Sequence, residues 1–163
     1  MKRWLLLLTV AGCAPAPAPQ SAPPVDAECV TGVVANLGVD RQRHPVLRTA
    51  AHGLVHLTGP AADAVLELTG ATVMVCGARE AAAIAVESYE LREVDGMPAV
   101  SGILESEGAG FVLDRGADRG KVRLLEVPAA LSAQLRQQVW VAGEWVGPEL
   151  LVKSFGLLGR AGH

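Results

Sequence analysis

Aromatic side chains are scarce in this chain: two Phe, one Tyr and three Trp. Any core must therefore be built from Val, Leu and Ala, which a composition half hydrophobic can supply. Proteins that hold single-stranded nucleic acid stack bases on aromatic rings, so the same scarcity argues against that role. Excess basic charge is missing too. Lys and Arg number 14 against 17 acidic residues, for a net charge of -3, and no surplus remains to neutralise a phosphate backbone. A membrane-spanning run is absent: Trp4 to Val10 is apolar but far shorter than the ~20 residues a bilayer crossing needs. Cysteines number only three, too few and too widely spaced for a zinc site. A length of 163 residues leaves room for one ordinary domain or two very small ones.

What is present begins at the amino terminus. Lys2 and Arg3 precede the apolar run, and Val10-Ala11-Gly12-Cys13 follows it. This positive, apolar, small-residue order is that of a secretion signal. The stretch resembles the lipobox of bacterial lipoproteins, in which the cysteine takes a diacylglycerol, is cleaved to become the first residue and is then N-acylated. The resemblance implies a signal over residues 1–12, a lipid on Cys13 and membrane lipid as a partner. An ordinary signal peptide is the alternative. Two or more acyl chains anchor stably, where a single chain binds reversibly. Ala14, rather than Asp, after the cysteine implies the outer membrane in the lipoproteins this resembles.

Beyond Cys13 runs APAPAPQSAPPVDAE, from Ala14 to Glu28. Alternating Pro and Ala supports neither helix nor sheet ladder and favours an extended chain of ~3.1 Å per residue, giving a stalk of up to ~45 Å. Residues 13–28 are thus expected to link the lipid to a folded body. With Cys13 acylated, Cys29 and Cys76 remain, and an even pair in an exported chain is a disulfide candidate, two buried thiols being the alternative.

The body repeats itself. GLVHLTGP at Gly53 parallels GKVRLLEVP at Gly120, TVMVCG at Thr72 parallels QVWVAG at Gln138, and VESYEL at Val86 parallels VKSFGL at Val152. Each half also carries an Ala- and Leu-rich segment after its third apolar run. The correspondences keep one order, so a tandem duplication is expected over 29–95 and 96–158, with 159–163 as a tail. Period-two alternation predicts strands in CVTGVVAN, PVLRTA, GLVHL, TVMVCG and AIAVESYEL; PAADAVLEL reads as a helix. The second half repeats this as PAVSGILES, GFVLD, KVRLLEV, a short helix near Leu131 and Leu135, QVWVAG and ELLVKSF. Trp140, Phe111 and Phe155 are expected to support its packing.

Three strands, a helix and two strands is the element order of the OB-fold, and LTGATVMVCG resembles the fourth-strand region of small bacterial OB-like domains. The expected class is mainly β: two tandem five-stranded OB-like barrels, each with one short helix between strands three and four. An SH3-like barrel or a two-sheet sandwich satisfies the periodicity as well. The resemblance implies that the first and fourth strands are antiparallel neighbours, which would bring Cys29 to Cys76, with Cys76 directed away from the Val73 and Val75 face.

No grouping in the sequence has the make-up of a catalytic centre, and neither a cofactor nor a metal is expected. His52 and His56 on a strand would stand ~13 Å apart, too far to share an ion. DRGADRG, from Asp114 to Gly120, reads as a polar turn between strands. Ser88 and Ser154 recur at equivalent places without a candidate base nearby. An OB-like first half would collect Arg41, Arg43 and His44 in its first inter-strand loop, Arg48 on its second strand and Arg79 in the loop between strands four and five. OB domains bind ligands at that combination of face and loops, so these five residues form a candidate site for an anionic glycan or lipid headgroup. The primary expectation is a non-enzymatic interaction or envelope-structural module, exported and lipid-anchored, with an envelope protein partner and no nucleic acid.

Overall fold

The structure, a computed structural model, describes residues 27–38 and 43–159. The signal, Cys13, most of the stalk, Arg41 and the last four residues of the tail lie outside the described residues. The body is mainly β, with ten strands and two short helices. In the first half β1 (Ala27–Leu37), β2 (His44–Thr49) and β3 (Gly53–Thr58) precede α1 (Ala62–Leu66), β4 (Thr72–Glu80) and β5 (Ala83–Val94). The second half repeats the order with β6 (Met97–Glu107), β7 (Gly110–Asp114), β8 (Lys121–Leu125), α2 (Ala129–Ser132), β9 (Gln138–Val146) and β10 (Glu149–Leu157).

Pairing follows one scheme in both halves. β1 pairs with β2 and β4, β2 with β3, β3 with β5 in parallel, and β5 with β4, so the first five strands close on themselves. β6 to β10 close in the same way, with β8 and β10 as the parallel pair. The halves join into one ten-stranded sheet through a hairpin from β5 to β6, where Glu93 faces Pro98 and Val94 faces Met97. Asp95 and Gly96 make its turn, both at positive φ (51° and 75°), which is why an Asp-Gly pair stands there.

Alternation decides which side chains enter each ring. Val30 and Val34 of β1, Val73 and Val75 of β4, and Ile84 and Val86 of β5 are buried, while Cys29, Thr31 and Val33 between them are exposed. A bulge recurs at the same place in both halves. Cys76 faces Ser88 and Gly77 faces Val86, which leaves Glu87 unpaired; Ala142 faces Ser154 and Gly143 faces Val152, which leaves Lys153 unpaired. Gly77 and Gly143 are required there. A Cβ at either would run into the backbone carbonyl of Ala85 or Leu151.

The two cysteines meet as the register requires. Cys29 faces Cys76 across β1 and β4, with the sulfurs at disulfide distance, 2.09 Å, and a sequence separation of 47. A bond closing such a loop contributes about 4 kcal/mol on the chain-entropy model. Ala99 and Ala142 face each other at the equivalent position of the second half. Cys29 is exposed, whereas Ala99 and Ala142 are buried and belong to the first half's core cluster, together with Leu158. The wall of the second ring is thus pressed against the first half, and only small side chains suit the position.

Several expectations change. Trp140 packs against the first half's cluster rather than its own, because it lies on the β9 wall that forms the junction; Phe111 and Phe155 do pack on the second cluster. α1 and α2 are single short turns, and Leu135 lies beyond α2 and is exposed. β4 continues past Gly77 to Glu80, because Ala78, Arg79 and Glu80 keep pairing with β5. Arg79 therefore belongs to a strand and not to the following loop, and His44 opens β2.

Candidate functional site

The basic residues singled out in the sequence divide into two groups. Arg43 is exposed and directly precedes β2. His44 faces Leu37 at the far end of β1, and Arg48 faces Val33; both are exposed. Arg79 stands elsewhere. Its guanidinium binds the Glu28 carboxylate at 2.7 Å, and along β1 Glu28 lies five positions from Val33, the partner of Arg48, and nine from Leu37, the partner of His44, up to ~17 and ~30 Å of strand. His44 and Arg48 thus share one side of β2 about 13 Å of strand apart, with Arg43 just before them, and Arg79 stands on β4 with its charge already matched.

The Arg48 region has an apolar side that alternation within each strand did not announce. Arg48 lies between Val33 of β1 and Leu54 of β3 in one cross-strand row, and those neighbours are 40% and 49% exposed. Leu37, beside His44, is 37% exposed. His56 stands two residues beyond Leu54 on the same side of β3, opposite Val46. His52 lies in the turn before β3 and not on the strand. Among the described residues no group of three or more His, Cys, Asp or Glu is placed to hold a metal ion. No described helix is long and apolar enough to cross a membrane.

A second region lies between the halves. A cleft of about 420 Å³ is bounded by Glu87, Ser88 and Tyr89 of β5, by Ser101 to Ile103 of β6, by Asp114 at the end of β7 and by Arg115 and Arg119 of the β7–β8 loop. The loop is the DRGADRG segment. It is ordered by its own hydrogen bonds: the Asp114 carboxylate accepts from Gly116 N–H at 2.9 Å, and Arg115 N–H donates to the Gly120 carbonyl at 3.0 Å. Arg115 reaches back to the first half, where its guanidinium meets Glu90 at 2.8 Å with both side chains 17% exposed. Arg92 takes the other oxygen of Glu90 at 3.2 Å. The polar turn is thus a clamp across the junction as well as a link between strands.

No family model matches the chain, and no curated protein matches it. Among solved structures, apo TiaS, tRNAIle2 agmatidine synthetase, is similar at 15% identity over 81% of this chain, with a TM-score of 0.33. The chain spans 31% of the length of that protein.

The cleft's chemistry follows from its own residues. Tyr89 is half-buried, and its phenol is raised above the ordinary 10.0, first by burial and then by the charge of Glu67. Ser88 is exposed on β5, and Ser154, its counterpart, has a buried hydroxyl with no hydrogen-bond partner among the described residues. The two serines occupy the same bulge position, so their recurrence belongs to the repeated fold. Beside the cleft the Arg115 guanidinium pairs with Glu90 and Arg119 donates to the Tyr89 carbonyl, contacts that hold the halves against each other. Sequence reasoning passed over Arg115 and Arg119 because a Gly-rich polar turn gives no sign of what it touches. The outward Val33 and Leu54 were missed because an exposed apolar residue and a core one look alike in a single strand.

Proposed function

We propose that this chain is an exported lipoprotein whose acylated Cys13 and Pro/Ala stalk present the β body as a non-enzymatic interaction or envelope-structural module, with an envelope protein as partner. In this reading residues 1–12 are a signal, 13–28 the lipid and linker, and 29–95 and 96–158 two OB-like barrels, a reading that the repeated pairing scheme supports. One observation carries the reading. With Cys29 and Cys76 at disulfide distance, Cys13 is the odd cysteine of the three, placed where a lipobox needs it. A disulfide also suits an oxidising compartment outside the cytosol. The outer membrane is the proposed address, resting on Ala14.

The test is fractionation of cells expressing Cys13→Ser. The variant is expected in the soluble fraction while the parent remains with membranes; continued tight membrane attachment of the variant would refute acyl anchoring. A second reading, binding of an anionic glycan or lipid headgroup by the first half, is favoured by the exposure of Arg43, His44 and Arg48 along β2 and just before it. Arg79 drops out of it because Glu28 already holds its charge.

A further inference from the structure

The repeated fold supplies an internal control for the Arg48 face. Gly32 and Gly102 occupy matching places, each so close to a facing carbonyl, of Arg48 and Asp114 respectively, that a Cβ would not fit. Row by row, the outer face of β6–β7–β8 can therefore be set beside that of β1–β2–β3. Where the first half has Val33, Arg48 and Leu54, the second has Ile103, Asp114 and Lys121. Where the first has Ala35, Val46 and His56, the second has Glu105, Val112 and Arg123.

The two faces solve their electrostatics differently. On the second, Lys121 binds Glu105 at 2.8 Å and Glu107 at 3.5 Å, and Arg123 binds Glu149 at 3.3 Å. Its cations are matched internally. On the first, the rows that pair across β1, β2 and β3 carry no carboxylate among the described residues; Glu28, farther along β1, holds Arg79, and Glu80 comes next in register, across Ala83 from His56. Arg48 is instead flanked by two exposed apolar side chains, a pattern that, among the described residues, leaves both a charge and an apolar surface without partners.

We propose that this face docks on the surface of an anionic lipid bilayer, with Arg48, and Arg43 just before the same strand, among the headgroups and Val33, Leu37 and Leu54 at the acyl boundary. The inference deepens the second reading above and rests on its basic residues. Charge complementarity and interleaved apolar side chains are the two requirements of interfacial binding. An acylated Cys13 would keep such a surface within reach, so a weak face would suffice.

Full-length Cys13→Ser protein, which removes the acyl contribution, is sedimented with phosphatidylglycerol vesicles and with phosphatidylcholine vesicles. Binding is expected to the first and not the second, to weaken with salt, and to fall about fivefold with Arg48→Gln. Leu54→Ser should also weaken it, and Lys121→Gln, on the matched second face, should not. Equal binding to both vesicles, or equal losses from Arg48→Gln and Lys121→Gln, would overturn the proposal. Full competition by soluble glycerol phosphate, with Leu54→Ser without effect, would leave an anionic-ligand site and overturn the bilayer. Arg48-dependent binding of polyglutamate without vesicle binding would point to an acidic protein instead, and binding to none of these probes would end both readings.

Discussion

At the residue scale, one position asks different things of the two halves. Cys29 and Cys76 stand where a wall is open, and a crosslink fits; Ala99 and Ala142 stand where the same wall is covered. Near the junction, Glu90 holds two guanidinia, of which Arg115 comes from the other half. Tyr89 shares this surrounding and is the chain's single tyrosine, so its phenolate absorbance can be followed without assignment. Burial raises its pKa, and the charge of Glu67 adds to the rise. A proton held more tightly in the folded state stabilises below the unfolded value and stops doing so as pH climbs through the folded one. The native midpoint should therefore lie above 10.0 and return to about 10 in denaturant. Glu67→Gln should lower the native midpoint only in part, because desolvation is the larger cause; a native midpoint at or below 10.0 would contradict the burial.

At the element scale, the strands were the legible part. Alternation in TVMVCG and KVRLL marks strands that exist, as does the apolar run GFVLD, and the boundary expected between Asp95 and Gly96 falls in a hairpin turn. Legibility failed where the deciding contact lies off the strand. Nothing in QVWVAG says that Trp140 packs across the junction, and nothing in VCGARE says that β4 continues to Glu80, since that depends on its partner β5. Of the candidate site, Arg43, His44 and Arg48 were readable as a basic stretch. Their apolar neighbours Val33 and Leu54 were not, because the row across three strands exists only after pairing. Two glycines carry the repeated bulge. Gly77→Ala and Gly143→Ala each drive a methyl group into a backbone carbonyl that a neighbouring strand holds in place, and each should cost ~1–3 kcal/mol or more of stability in denaturant unfolding. A Gly77→Ala or Gly143→Ala protein as stable as the parent would show that the bulge can relax, and that the two halves do not share a fixed geometry there.

At the scale of the whole molecule, a repeated pairing scheme and two different outer faces divide the work. Common pairing, bulge and glycine positions maintain one scaffold twice. The exposed faces differ: on the second, Lys121 and Arg123 meet carboxylates of their own half, and the first leaves Arg48 among apolar side chains. The junction is set by Ala99, Ala142, Leu158 and the Glu90–Arg115 pair, so the halves present their faces in a defined relation. The proposed anchor gives this arrangement its context, since a body held near a membrane can use contacts too weak to retain a free protein. Everything proposed about location turns on Cys13. Intact-mass spectrometry of the protein extracted from membranes tests it most directly: the account predicts a chain beginning at Cys13 and carrying diacylglycerol and an amide-linked acyl group. A chain that keeps residues 1–12, or one cleaved elsewhere with no added lipid mass, would contradict it.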